Sequence, residues 1–134
     1  MSGDFCEIIH HGAVRGVTGS CHELRLLPSS ANRQFAILVD CGLFQGAETS
    51  GTGAGRDQLA IDFPIEHIRA LVVTHVHIDH AGRIPYLLAA GFRGPIFCSE
   101  PSAVLLPLVI EDALAVGVTR ERKIVADTVE ALQS

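Results

Sequence analysis

The first 40 residues alternate between apolar runs and polar, loop-like stretches. Phe5–His10 leans apolar, and His11–Gly19 contains three glycines and predicts a loop. Ser20–Leu27 alternates as a strand does, and Gln34–Asp40 is a continuous apolar run, as in a strand covered on both faces. Because Pro28–Arg33 between them is rich in turn residues, the two runs are predicted to form a hairpin.

The remainder of the chain alternates between strand and helix patterns after a long irregular connection at Gly42–Phe63. Ala70–Thr74 is rich in β-branched residues, as a buried strand is, and runs directly into His75–His80. This order favours a layered α/β arrangement, a mixed sheet with flanking helices. The other predicted elements are a helix at Ala81–Ala90 stopped by Gly91, a short strand at Gly94–Cys98, a helix from Ser99 to about Val116 and a last helix at Arg120–Leu132. The helix that begins at Ser99 carries an apolar stripe that is expected to face the core: Val104, Leu105, Leu108, Val109 and Leu114.

Composition narrows the class of protein. The chain has 134 residues, which fits one ordinary domain, and 48% of them are hydrophobic, which excludes a disordered tail. No apolar run approaches the roughly 20 residues that a membrane-spanning helix needs. Because the N-terminus lacks a basic head followed by a long apolar run, no secretory signal is visible and a cytoplasmic location is expected.

Charge and cysteine usage add two further expectations. The formal net charge is −5 and Lys123 is the only lysine, so the sequence lacks the basic excess that usually grips nucleic acid. The four cysteines contain no C-x-x-C pair, which favours free thiols in a reducing compartment. Cys41 and Cys98 are expected to be buried and unreactive.

The segment His75–His80, with the sequence HVHIDH, carries the candidate chemistry. In an extended segment the side chains of His75 and His77 project to the same side, and Asp79 and His80 follow where the chain turns into a helix. Imidazole nitrogens and a carboxylate suit zinc or a neighbouring first-row metal. His75 and His77 on one ion, with Asp79 and His80 on a second, would allow a phosphoryl group to be clamped and hydroxide to be generated. The alternative is that these histidines only satisfy loop backbone groups near a buried strand end.

This H-x-H-x-D-H run resembles the second motif of the metallo-β-lactamase superfamily, and Val39–Gly42 resembles its first, in which an aspartate ends a strand. More narrowly, the stretches GAVRGVTGSC, VDCGLFQG and THVHIDHAGRIPYLLAAGFRGPIFCSEP are similar to the β-CASP branch of RNA-processing nucleases. The resemblance implies a zinc-dependent ribonuclease in which Asp79 also accepts or positions the proton of the attacking water. It also implies that Asp40 orients a metal ligand from behind.

The same resemblance predicts that the ligand set is incomplete. The family needs a further histidine and a bridging aspartate downstream, and the β-CASP branch adds a cap domain. After His80 the sequence contains no histidine, and its only aspartates there are Asp112 and Asp127. Residues 1–134 are therefore expected to form the N-terminal part of an αββα sandwich, without the cap and the C-terminal half. Such a chain is expected to bind its two zinc ions weakly, to be inactive or weakly active, and to self-associate or dock to the missing half.

Two other functions stay open on the sequence. The motif alone permits a metallo-β-lactamase-fold hydrolase of small esters or thioesters, and the missing ligands permit a non-catalytic, self-associating remnant. Arg83 and Arg93 are interpreted either as RNA-backbone contacts or, more commonly, as solvated residues at helix ends. The remaining histidines, His10, His11, His22 and His67, are expected to be ordinary surface, loop or core residues, with His22 the least improbable exception.

Overall fold

The computed structural model describes residues 5–28, 33–45 and 60–115, together with Thr128 and Glu130. Most of the predicted loop Pro28–Arg33, of the long connection Gly42–Phe63 and of the helix Arg120–Leu132 lies outside the described residues. Thr128 and Glu130, within that last segment, are helical.

The described strands are β1 (Phe5–His10), β2 (His22–Leu27), β3 (Phe35–Val39), β4 (Ile68–Val72) and β5 (Ile96–Phe97). They form one mixed sheet with the spatial order β1-β2-β3-β4-β5, which is also their order along the chain. The first three strands pair antiparallel, whereas β4 pairs with β3 and β5 pairs with β4 in parallel. The predicted hairpin and the predicted α/β class are thus confirmed.

The helices differ from prediction after β4. The predicted helix Ala81–Ala90 is instead two helices, α1 (Ile78–Ala81) and α2 (Ile84–Ala89), and α1 begins inside the histidine motif. The helical hydrogen bonding of α1 ends at Arg83, whose amide donates to the carbonyl of Cys41 at 2.9 Å. Pro85 is then well placed in the first turn of α2, where it needs no N–H partner. The last described helix, α3 (Glu100–Ala115), agrees closely with its prediction.

The core lies between the sheet and these helices. Leu38 of β3 and Leu71 of β4 are fully buried, and they share one cluster with Ile84, Leu87 and Ile110 of α2 and α3. The helices therefore cover one face of the sheet. In the described part of the chain, no helix is long and apolar enough to span a bilayer.

The predicted core stripe of α3 is wrong in part. Val104, Leu105 and Leu108 are 69%, 46% and 59% exposed, whereas Leu106 and Ile110 are buried. Because α3 carries apolar residues on most of its circumference, helical spacing alone did not identify the face that packs.

Candidate metal centre

The carboxylate of Asp40 forms the centre of the site at the carboxyl end of β3. Asp40 is 2% exposed and has a left-handed backbone conformation with φ +63°, which aspartate tolerates better than most residues. It accepts hydrogen bonds from the Thr74 amide at 2.8 Å, the Thr74 hydroxyl at 2.7 Å and His80 Nδ1 at 2.7 Å. The buried Asp40 carboxylate thus connects Thr74, which follows β4, with His80 of α1.

His80 is held in a defined orientation by this hydrogen bond. Since Nδ1 donates to Asp40, the imidazole lone pair is on Nε2, the nitrogen that remains for a further ligand. His80 Nε2 lies 3.5 Å from the Asp79 carboxylate, so these two side chains face the same region.

The ring of His75 lies beside the rings of both other histidines of the motif. The ring of His75 is 4.0 Å from that of His80 and 4.7 Å from that of His77, measured between ring centroids. Thr74 Oγ1 lies 3.0 Å from His75 Nδ1, so Thr74 contacts both Asp40 and His75. The structure therefore brings the motif's imidazoles together at one corner of the sheet.

The local backbone explains why glycine follows Cys41. The Cys41 amide donates to the carbonyl of His80 at 2.9 Å, and the Leu43 amide donates to that of Ile78 at 3.0 Å. Gly42 lies between them, where a Cβ atom would overlap the carbonyl of Asp79. Close backbone contact here fixes β3 against the motif, which positions Asp40 behind His80.

The donor types fit a divalent metal, but they do not form a complete ligand set. Within the described residues, no group of three or more histidine, cysteine or acidic side chains is arranged so that it could hold a metal ion. Imidazole nitrogens and a carboxylate are ligands that zinc accepts, and a histidine backed by a carboxylate is common among metal ligands. His75, His77, Asp79 and His80 could therefore supply part of a metal centre.

Comparison with known proteins identifies the family. A profile described as the metallo-beta-lactamase superfamily matches residues 31–101, more than half of the chain. The chain belongs to the metallo-β-lactamase superfamily. The mixed sheet with helices on one face agrees with a partial metallo-β-lactamase fold, as predicted.

Three relatives are named as a ribonuclease, a transcription termination factor and a cleavage and polyadenylation factor. The chain is 39% identical over 109 residues to "Ribonuclease TTHA0252" of Thermus thermophilus, covering 81% of this chain and 23% of the relative. It is 34% identical over 115 residues to "Transcription termination factor FttA" of Methanosarcina mazei, covering 84% and 16%. It is 33% identical over 86 residues to "Cleavage and polyadenylation specificity factor subunit 3-II" of Arabidopsis thaliana, covering 63% and 14%. The chain thus spans less than a quarter of the length of each of these relatives. The predicted resemblance of the chain to the RNA-processing β-CASP branch is confirmed.

The structure contradicts both interpretations of Arg83, as an RNA-backbone contact and as a solvated residue. Arg83 is only 2% exposed, so it is buried. Its Nε donates to the carbonyl of Gly42, and its guanidinium lies 4.9 Å from the ring centroid of Phe44. Arg83 supports the loop that follows β3, which residue type alone could not reveal. Arg93 is exposed, and its Nη1 donates to the carbonyls of Leu88 and Phe92.

Glu23, which the sequence analysis did not single out, is the centre of a second histidine cluster. It is fully buried, and its carboxylate accepts from His11 Nε2 at 2.8 Å, His67 Nε2 at 2.7 Å and Arg25 Nε at 2.8 Å. Burial opposes ionisation, but the hydrogen bonds from Arg25, His11 and His67 outweigh it and lower the pKa of Glu23 to about 2. His11 and His67 therefore have a structural role, as expected.

His10, at the end of β1, lies opposite His22, at the start of β2. Their Nδ1 atoms are 2.8 Å apart, and their rings meet edge to face with centroids 4.9 Å apart. Burial, followed by the neighbouring His10, lowers the pKa of His22, so His22 is neutral at physiological pH.

The cysteines follow the predicted pattern only in part. Cys21 and Cys41 are fully buried, whereas Cys98 is half-buried and Cys6 is exposed. The hydrogen bond with Cys41, followed by burial, raises the pKa of the Cys21 thiol, which is therefore protonated at neutral pH.

Proposed function

We propose that this chain is part of a zinc-dependent hydrolase that cleaves phosphodiester bonds in RNA. The observation that carries the proposal is the hydrogen bond from His80 Nδ1 to the buried carboxylate of Asp40, which leaves Nε2 for a ligand in a ring that lies 4.0 Å from that of His75. The names of the relatives, which include a ribonuclease and a cleavage and polyadenylation factor, support RNA as the substrate.

In this proposal each residue of the motif has a defined role. His75 and His77 would hold one ion, and Asp79 and His80 would hold a second. Two divalent ions, when bound, supply charge stabilisation for a phosphoryl group and lower the pKa of water. Asp79 accepts or positions the proton of the attacking water at a carboxylate oxygen. Asp40 orients His80 by accepting its Nδ1–H.

We also propose that the 134-residue chain alone has little or no turnover and binds zinc weakly. Four candidate ligands shared between two ions leave each ion with few protein donors, and the sequence after His80 contains no further histidine.

A cytoplasmic location stays a prediction. So does self-association or docking to another polypeptide surface, which the exposure of Ile8 (63%) and Phe97 (56%) supports.

The test combines zinc binding with substrate cleavage. We expect His77→Ala to weaken zinc binding at least tenfold in calorimetry, and His10→Ala, a histidine outside the motif, to change it less than twofold. Labelled RNA should be cleaved slowly or not at all, and a chromogenic lactam and a thioester should be left intact. Turnover of the lactam or the thioester but not of RNA would support the small-ester alternative. Equal zinc affinity in His77→Ala and the unmodified chain would contradict the proposed metal centre.

A further inference from the structure

A cavity of about 430 Å³ lies between the loop that follows β1 and the ring of Phe44. The loop contributes His11, Gly12, Val14, Arg15 and Thr18 to its walls. Pockets that bind small ligands usually measure roughly 300–1,000 Å³. The cavity is therefore large enough for one nucleotide.

The chemistry of the walls favours an anionic ligand with an apolar part. Arg15 is exposed at the cavity, and none of the described residues that line it is acidic, although the chain carries a net charge of −5. Val14 is 68% exposed and adds an apolar surface beside Phe44. A nucleotide offers both a phosphate for a guanidinium and a base for apolar contact.

The walls of this cavity are held in place by buried groups. The Arg83 guanidinium lies over the Phe44 ring, and Gly19, with φ +73°, packs so closely that a Cβ atom would overlap that ring. On the opposite side, His11 donates to buried Glu23 and stacks on Phe63 with ring centroids 3.6 Å apart. Phe44 and His11 are thus fixed before a ligand binds, which reduces the entropic cost of binding.

The loop is joined directly to the candidate metal centre. The Ser20 amide donates to the carbonyl of Asp79 at 3.0 Å, and the Gly42 amide donates to the carbonyl of Ser20 at 2.9 Å. The Gly19 amide donates to the carbonyl of Leu43 at 3.0 Å. The loop that lines the cavity is therefore packed directly against the segment that carries Asp79 and against the residues that follow β3.

The geometry points to a nucleotide-binding subsite in this cavity, with one phosphate on the Arg15 guanidinium and one base against Val14 and the edge of Phe44. The inference rests on the proposed function, because it takes RNA as the substrate. It assigns a substrate contact to a loop that carries none of the candidate metal ligands.

The test measures binding without added metal, in the presence of a chelator. Fluorescence anisotropy with a labelled oligouridylate compares the unmodified chain, Arg15→Gln and the control Arg33→Gln, an exposed arginine that instead lies over the ring of Phe35. We expect Arg15→Gln to weaken binding by about 3- to 10-fold and to reduce the slope of log affinity against log salt by about 0.7. Arg33→Gln should stay within about twofold.

A second measurement locates the ligand. Uridine 5′-monophosphate added to ¹⁵N-labelled chain should shift the amide signals of Gly12 and Gly16, and Val14→Asp should abolish those shifts by placing a negative charge in the cavity. Equal losses in both arginine variants, or shifts confined to other residues, would overturn the subsite. Because no metal is added, this measurement is independent of the proposed metal centre. Loop signals that shift while zinc affinity is equal in His77→Ala and the unmodified chain would mean that the metal centre fails and the subsite stands.

Discussion

Asp40 and Glu23 are both buried carboxylates that accept hydrogen bonds from histidine, but they engage different nitrogens of the ring. Asp40 accepts from Nδ1 of His80 and leaves Nε2 directed towards Asp79. Glu23 accepts from Nε2 of both His11 and His67. The first arrangement leaves a nitrogen for a further ligand, whereas the second uses that nitrogen inside the protein. The same residue types therefore form a candidate metal centre around Asp40 and a hydrogen-bonded structural cluster around Glu23.

The surroundings of the two carboxylates strengthen this difference. Around Glu23 the positive side chain of Arg25 completes the hydrogen bonding, so the cluster is closed and its charge is compensated. Around Asp40 the other two donors are the amide and the hydroxyl of Thr74, a neutral residue. The imidazoles of His75 and His80 lie next to each other with ring centroids 4.0 Å apart. A cation is therefore better accommodated near Asp40 than near Glu23.

The largest effect is expected from Glu23→Gln. The substitution removes a buried charge and leaves the donors of Arg25, His11 and His67 with a poorer acceptor, so the free energy of unfolding should fall by about 2–4 kcal/mol. Urea denaturation measures it. Glu7→Gln is the matched control, since Glu7 contacts only the edge of this network at 3.4 Å from Arg25 and should cost less than about 0.5 kcal/mol. A loss as small as that of the control would show that Glu23 does not hold the cluster together.

A somewhat smaller effect, on the affinity for zinc, is expected from Asp40→Asn. The amide accepts less strongly from His80 Nδ1, so zinc affinity measured by calorimetry should fall by about 10- to 100-fold. Asp62→Asn, at an exposed position, should leave it unchanged. His67→Gln should also leave zinc affinity within about twofold. A larger loss of zinc affinity in His67→Gln than in Asp40→Asn would reverse the roles assigned to the two clusters.

The last expected effect is the acid dependence of the Glu23 contribution, which spreads the first effect over pH and adds no stability of its own. The folded-state pKa of Glu23 is about 2, below its ordinary value of 4.5, so its stabilisation is fully present above pH 4.5 and is lost as the pH falls towards 2. The difference in unfolding free energy between the unmodified chain and Glu23→Gln should therefore shrink over this range. A difference that grows on acidification would contradict the lowered pKa.

Much of the fold was predictable because its signals are local. The apolar runs gave β2, β3 and the hairpin, and Gly91 and Ser99 correctly bounded the helical segments. The break between α1 and α2 was not predicted, because Pro85 was not recognised as the start of a second helix. The exposed face of α3 was assigned to the core, because its apolar residues surround the helix and only its tertiary neighbours decide which of them pack.

The candidate site was predictable to a similar extent. The motif at residues 75–80 and Asp40 stand out by residue type and spacing, and the structure places them together. Glu23 was missed because a glutamate in an alternating strand pattern is expected to face solvent, and its partners His11 and His67 are 12 and 44 residues away. Long-range pairing of this kind leaves no periodic signal. A cluster of unassigned histidines around an acidic residue in a strand is the only hint the sequence offers.

The most direct test of the account is NMR of the imidazole nitrogens during a zinc titration. Before zinc is added, His80 should carry its proton on Nδ1, and His11 and His67 should carry theirs on Nε2. On addition of zinc, nitrogen signals of His75, His77 and His80 should shift, while those of His11 and His67 stay constant. A response confined to His11 and His67, or none from the three motif histidines, would contradict the claim that Asp40 prepares a metal centre.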